Sequence, residues 1–228
     1  MTMSLPTLII LDLDDTLYEY QPANRAGMAQ AALVLKNQLG LVEKDWLPLF
    51  HEARNEVKNR LGENASSHSR LLYFKTLLEK LGVGGHLDLA LQLETQFWQS
   101  FMRSMAPTYG SIEFLELCRS LGIPVVIMTD LTLQVQIRKL INLNLLNLVH
   151  ALISSEETGE DKPSRRFLNY AQQSLGLNTS HVWVIGDDEV KDGGLAKTAG
   201  GIFFHVTPAK VYRNGFDRLT QKLQVLAE

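Results

Sequence analysis

The chain has one cysteine, Cys118, so no internal disulfide can form, and such sparing use fits a reducing compartment. Phe114, Leu115 and Leu117 surround it in sequence, which marks a core residue rather than a reactive thiol. Long apolar runs are missing too. Those present are strand-length, short of the about 20 residues a membrane-spanning helix needs. No Lys/Arg block stands out among 22 basic and 25 acidic residues, and the net charge of -3 gives no nucleic-acid footprint. The six histidines (His51, His68, His86, His150, His181 and His205) show no metal-ligand spacing. Residues 1–11 lack the basic start of a signal peptide. The expectation is a soluble cytoplasmic protein with no membrane or nucleic-acid partner. Nothing in the sequence fixes its oligomeric state.

What is present is ordinary globular composition, 45% hydrophobic and 21% charged in 228 residues, enough for one large domain or two modest ones. Two textures alternate. Short β-rich runs end in polar or glycine residues: TLIILDLD, IPVVIMTD, ALISSE, HVWVIGDD and GIFFHV. Helical stretches separate them, at 111–121, about 133–140, 163–175 and roughly 192–199. Strands apolar throughout and alternating with helices predict a doubly wound parallel sheet covered on both faces. Residues 20–105 differ. They hold four helical patterns, about 22–39, one ending at Leu61, 69–81 and 86–103, the first three stopped by Gly40, Gly62 and Gly82. The expected organisation is an α/β core of residues 1–19 and 106–228 with an all-helical insert, a small antiparallel bundle, at 20–105.

The segment ILDLDDTLYEY (residues 10–20) sets three aspartates at the end of a strand with no polar face. An ionised carboxylate there costs several kcal/mol unless a cation meets it. Ligands of parallel sheets sit beyond the carboxyl ends of the strands. The strand ends here carry Asp12, Asp14, Asp15 and Thr16, then Thr129-Asp130, then Gly186-Asp187-Asp188 with Asp192 beyond, while Asp161-Lys162-Pro163 precedes a core helix. Carboxylates gathered this way repel one another. Mg²⁺ would make them ligands and leave positions for phosphate, and the all-oxygen donor set argues against zinc. A carboxylate can then attack phosphorus, giving an aspartyl phosphate, with an acid and base nearby for the leaving alkoxide and the attacking water.

These residues resemble the four ordered motifs of the haloacid dehalogenase superfamily: Asp12-x-Asp14-x-Thr16, Thr129, Lys162-Pro163 and GDDEVKD from Gly186 to Asp192. The insert resembles the helical cap of one large subgroup. The resemblance implies roles. Asp12 is the nucleophile and a metal ligand, and Asp14 is the acid and then the base, binding metal through its carbonyl. Thr129 holds phosphoryl oxygens, and Lys162 balances the charge of Asp12 and the phosphate. Asp187 is the third metal ligand and Asp192 orients that site. Family members that cleave carbon–halogen bonds lack the aspartate at position 14, so Asp14 favours phosphoryl transfer. The implied activity is Mg²⁺-dependent hydrolysis of a small phosphorylated metabolite, a nucleoside monophosphate or a sugar phosphate. The segments TDLTLQVQIRKL and SSEETGEDKP look like those of phosphatases acting on nucleotides and acyl-sugar phosphates. Asp130-Leu131 departs from the asparagine and glycine usual there, and Asp188 replaces a commoner serine. A sugar-phosphate phosphomutase and a non-catalytic phospho-ligand-binding protein are the alternatives.

Plainer readings stand beside some of these residues. Asp15 and Thr16 suit a capped turn. GGLAKT (193–198) lacks the spacing of a phosphate-binding loop and reads as a helix start. Thr16, Asp130, Tyr18 and Arg70 are the candidate substrate contacts. Tyr18 and Tyr20 suit either a ring-shaped leaving group or the core, and His68, Arg70 and Tyr73 suit surface packing unless Arg70 reaches an anion.

Overall fold

The structure, a computed structural model, describes residues 4–208 and 215–228. The chain divides into two compact units, residues 1–19 with 106–228, and residues 20–105. In the first unit five strands, β1 (Leu8–Leu11), β2 (Val125–Thr129), β3 (Ala151–Ser154), β4 (Val182–Gly186) and β5 (Ile202–His205), form one all-parallel sheet in the order β3-β2-β1-β4-β5. The α/β class read from the sequence is the observed one. The chain builds outward from β1 to β3 and then restarts on the other side with β4. The strand order therefore reverses between β1 and β4, the place where open α/β sheets hold their ligands.

Period-two alternation divides each strand between two cores. Leu8, Ile10, Val126, Met128, Ile153, Val182 and Val184 pack with Phe167, Leu168, Ala171, Leu195 and Ala196. Those partners come from α8 (Arg166–Gln173) and α9 (Asp192–Ala199). The alternate residues Ile9, Leu11, Ile127, Trp183 and Ile185 are equally buried on the opposite face. There α5 (Ser111–Ser120) packs on α10 (Gly215–Ala227), with the Phe114 and Phe216 rings 5.5 Å apart. Cys118 is fully buried on α5, and burial pushes its thiol up to about 12, which removes it from chemistry near neutral pH. Also in this unit, α6 (Leu133–Asn142) follows β2 and a single turn, α7 (Ser155–Thr158), follows β3.

The second unit is all-helical: α1 (Tyr20–Leu39), α2 (Glu43–Leu61), α3 (Arg70–Lys80) and α4 (Leu87–Arg103). Gly40, Gly62 and Gly82 follow the first three helices at φ 69°, 73° and 75°, positive values that glycine adopts at little cost. The bundle is not closed. Helix α1 packs on α4, α4 on α3 and α3 on α2, but α1 and α2 make no comparable contact. The α1–α4 contact is close because Gly27 lacks a side chain; a Cβ there would lie 2.7 Å from the Phe97 ring.

Three further differences from expectation have local causes. Helix α8 begins at Arg166, since Pro163 sits in a turn closed by the Ser164 N–H donating to the Asp161 carbonyl at 3.2 Å. The single turn α7 is too short for periodicity to reveal. The sequence reading left α10 unassigned, although Phe216, Leu219 and Leu223 mark its buried face. Among the described residues no helix is long and apolar enough to cross a membrane.

Candidate active site

Strand β1 delivers Asp12 to the switch point, where its N–H donates to the Ile185 carbonyl of β4 at 2.9 Å. One carboxylate oxygen, Oδ1, pairs with the Lys162 ammonium. The same Nζ donates to Asp192 Oδ1 at 2.6 Å, so one buried cation bridges two buried acids. The Thr16 hydroxyl lies 3.4 Å from both Asp12 Oδ2 and Asp187 Oδ1. Oxygens of Asp12, Asp187 and Asp192 lie within 4.8 Å of one another. Asp188 turns away from this group. Its Oδ1 accepts the N–H groups of Val190 and Lys191 at 2.8 and 3.0 Å, which ties it into the turn before α9.

Burial, reinforced by Asp192 and Asp14, raises the Asp12 carboxyl well above the usual carboxylate range in spite of Lys162. Asp187 is pushed up to about 6 by burial and then by Asp192 and Asp15. For Lys162, burial acts downward but Asp12, Asp192 and Asp130 outweigh it and hold the ammonium charged. Three carboxylates facing one ammonium leave excess negative charge, and hard oxygen donors at this spacing suit a Mg²⁺ ion. Asp192 comes this near only because residue 186 is glycine: a Cβ there would lie 2.0 Å from Asp192 Oδ2.

Asp14 belongs to a separate group. It accepts from the Tyr18 hydroxyl and from the fully buried Lys139, whose Nζ lies 2.6 and 2.9 Å from its two oxygens. Burial alone would raise its carboxyl, but Lys139 and then Tyr18 reverse the sign and hold it below the usual range. Asp15 takes φ 56°, the left-handed turn conformation that aspartate tolerates.

The ends of β2 and β3 supply the rest. Thr129, 1% exposed, accepts from the Gln136 amide at 2.7 Å, and the same amide donates to the Asp130 carbonyl at 2.7 Å. Asp130 accepts the Lys162 N–H at 2.9 Å through one oxygen and the Lys191 ammonium through the other. Its charge is thus neutralised locally. Leu131 takes φ 106°, a conformation open to glycine and costing a bulkier residue about 1–3 kcal/mol. Its N–H donates to Ser155 Oγ at 3.0 Å and its side chain is buried, which holds it there.

The α/β unit brings Asp12, Thr16, Lys162, Asp187 and Asp192 together, with Asp14 and Tyr18 next along the chain and Thr129 and Asp130 at the neighbouring strand end. Arg70 lies in the helical unit. It donates to the His68 carbonyl at 3.0 Å and to the Tyr20 hydroxyl, and stands 5.3 Å from the Tyr73 ring centre. Tyr73 is 1% exposed, so this trio is built into the unit rather than scattered on its surface. Sequence reasoning passed over Lys139, Gln136 and Lys191. A signal existed for two of them: Val135, Gln136, Lys139 and Leu140 form the buried stripe of α6, and polar residues on such a stripe need partners.

Residues 6–200 match the family model described as haloacid dehalogenase-like hydrolase. The chain belongs to that family. It is 34% identical over 198 residues to a ribulose-1,5-bisphosphate 5-phosphatase of Halopiger xanaduensis, covering 86% of this chain and 82% of the relative. It is 25% identical over 205 residues to a glyceraldehyde 3-phosphate phosphatase of Methanopyrus kandleri, covering 89% and 84%. Its fold matches a 2-haloacid dehalogenase of Pseudomonas syringae at a TM-score of 0.73 and 21% identity, over 98% and 99% of the two chains. A magnesium-bound HAD hydrolase of Bacillus subtilis matches at 0.70 and 18%, over 96% and 99%. This hydrolase stands with the family's phosphatases, by its curated relatives and by the Asp12-x-Asp14 pair.

Proposed function

We propose that this hydrolase is a Mg²⁺-dependent phosphomonoesterase for a small phosphorylated metabolite, working through an aspartyl phosphate on Asp12. The observation that carries the reading is the cluster at the β1–β4 switch point, with Asp12 on Lys162 and its oxygens beside those of Asp187 and Asp192. The relatives' names favour a sugar or triose phosphate over a nucleotide. Residues 20–105 would act as the cap that selects the leaving group, with Arg70 as a contact for an anionic substrate.

Asp12, Asp187, Asp192 and the carbonyl of Asp14 would hold Mg²⁺, which supplies charge neutralisation for the phosphoryl oxygens. An Asp12 carboxylate oxygen attacks phosphorus. The bond from phosphorus to the leaving oxygen breaks, and that oxygen takes its proton from Asp14, whose carboxyl, held low by Lys139, the nearby phosphate charge would have to raise for it to carry that proton. Water then attacks the same phosphorus, gives its proton to Asp14, and the bond to Asp12 breaks, releasing inorganic phosphate. Lys162 favours the ionised form of Asp12 against the upward push of burial, and Thr129 with nearby N–H groups orients the phosphoryl oxygens. Thr16 fixes the relation of Asp12 to Asp187. The Tyr18 hydroxyl is engaged by Asp14, so its part is to aim that carboxylate.

A phosphate-release screen over sugar phosphates and nucleotides with Mg²⁺ tests the activity. Asp12→Asn tests the mechanism. Turnover should fall by at least about a thousandfold, as loss of a covalent nucleophile does, with an unchanged melting profile. Retention of a tenth of the activity would remove Asp12 from that role.

A further inference from the structure

Helix α6 carries one charged residue on its buried stripe, Lys139, beside Val135, Gln136 and Leu140. Its side chain is fully buried and its ammonium pairs with Asp14, the acid and base of the proposed reaction. Nζ lies 2.6 Å from Oδ1 and 2.9 Å from Oδ2, so one cation grips both carboxylate oxygens. The hydroxyl of the buried Tyr18 donates to Oδ1 as well, and the ammonium stands 5.6 Å from the Tyr18 ring centre. Asp14 is thus held by two side chains that cannot move without opening the core. Its own side chain is 32% exposed, so the carboxylate keeps an open side. Oδ1 accepts two of these hydrogen bonds and Oδ2 one, which leaves Oδ2 the oxygen with more room for a proton. All three residues belong to the α/β unit. Stability is a poor reason for the arrangement, because two apolar side chains of the same volume often serve a core as well as a buried ion pair. Orientation is what the pair supplies.

We infer that Lys139 is a positioning residue for the second half of the reaction, fixing the Asp14 carboxylate where it takes the proton of the attacking water. In that step the water oxygen bonds to phosphorus. The bond from phosphorus to Asp12 breaks with its electron pair left on the Asp12 carboxylate, and the proton of the water passes to Asp14 Oδ2. A reacting group displaced by about 1 Å can cost on the order of a hundredfold in rate, so a base held at two points has a kinetic advantage. The inference rests on the phosphatase reading and adds to it the residue that aims the base.

The test separates the two halves with p-nitrophenyl phosphate and Mg²⁺, since nitrophenolate leaves without needing a proton. There kcat/KM reports formation of the aspartyl phosphate, and kcat reports its hydrolysis once that step is slow. In Lys139→Met kcat should fall at least tenfold, and KM should fall with it, so that kcat/KM stays within about threefold of the wild type. Rapid mixing should show a burst of about one nitrophenolate per enzyme, the mark of an accumulating covalent intermediate. Asp14→Asn should give the same burst. Asp14→Asn/Lys139→Met should be no slower than Asp14→Asn alone, because the group being aimed is gone. That double variant strands no charge, so the comparison holds even where Lys139→Met does not fold. A kcat within twofold of the wild type, a parallel loss of kcat and kcat/KM with no burst, or a further loss in the Asp14→Asn background would overturn the inference. Failure of the phosphatase reading shows in the wild type itself, as no phosphate from any substrate, and takes the inference with it.

Discussion

Gly186 and Asp192 show how one missing atom shapes a site. Asp192 occupies the space a Cβ on residue 186 would fill, which brings it into the group formed with Asp12 and Lys162. Gly186→Ala should therefore displace Asp192 while the strand itself, a poor place for glycine, tolerates alanine. Mg²⁺ affinity measured by calorimetry should drop tenfold or more, and unchanged affinity would deny Asp192 a place beside the cation. The sequence made Asp12, Lys162, Asp187 and Asp192 stand out as candidates because each sits at a strand end, a helix start or the turn before a helix, in a fixed order. It could not reveal what each carboxylate pairs with. Asp130 read as an added negative charge, yet Lys191 and the Lys162 N–H neutralise it. That pairing depends on loops meeting in space, which no local pattern encodes.

Among the elements, α6 does more than connect two strands. It places Lys139 on Asp14 and Gln136 on Thr129 from one buried face. Lys139→Met keeps the bulk but strands the Asp14 charge, and should cost about 3 kcal/mol in urea unfolding at pH 7. The pH dependence follows from the sign of the shift. Asp14 is held below the usual carboxylate range, so its pairing contributes fully above about pH 4 and is lost as pH falls through its lowered value. The gap between wild type and variant should narrow toward pH 3, and a constant gap would mean that Lys139 acts only by packing. Element positions were largely readable, since helices such as Glu43–Leu61 end at glycine and the strands are continuous apolar runs. The open side of the helical unit was not. Periodicity shows which face of a helix is apolar, but the stripes on α1 and α2 look the same whether they meet a helix or a cavity.

For the molecule as a whole, Mg²⁺ should act as a stabilising ligand. At a hundredfold excess over its Kd the gain is about 2.7 kcal/mol, read as a rise in Tm. Binding requires the ionised form of Asp187, whose carboxyl is pushed up to about 6, so protons compete below that value. The Mg²⁺-dependent rise should be full above pH 7 and fade through pH 6, and a gain undiminished at pH 5 would place the cation away from Asp187. One feature of the topology also governs how the chain is made. The central strand β1 pairs with β2 and β4, both more than a hundred residues further along. During synthesis Leu8–Leu11 emerges first and waits, while residues 20–105 follow with their own contacts and can fold locally. A short, wholly apolar segment thus leaves the ribosome long before its hydrogen-bonding partners. Its protection in that interval falls to chaperones or to the speed of translation.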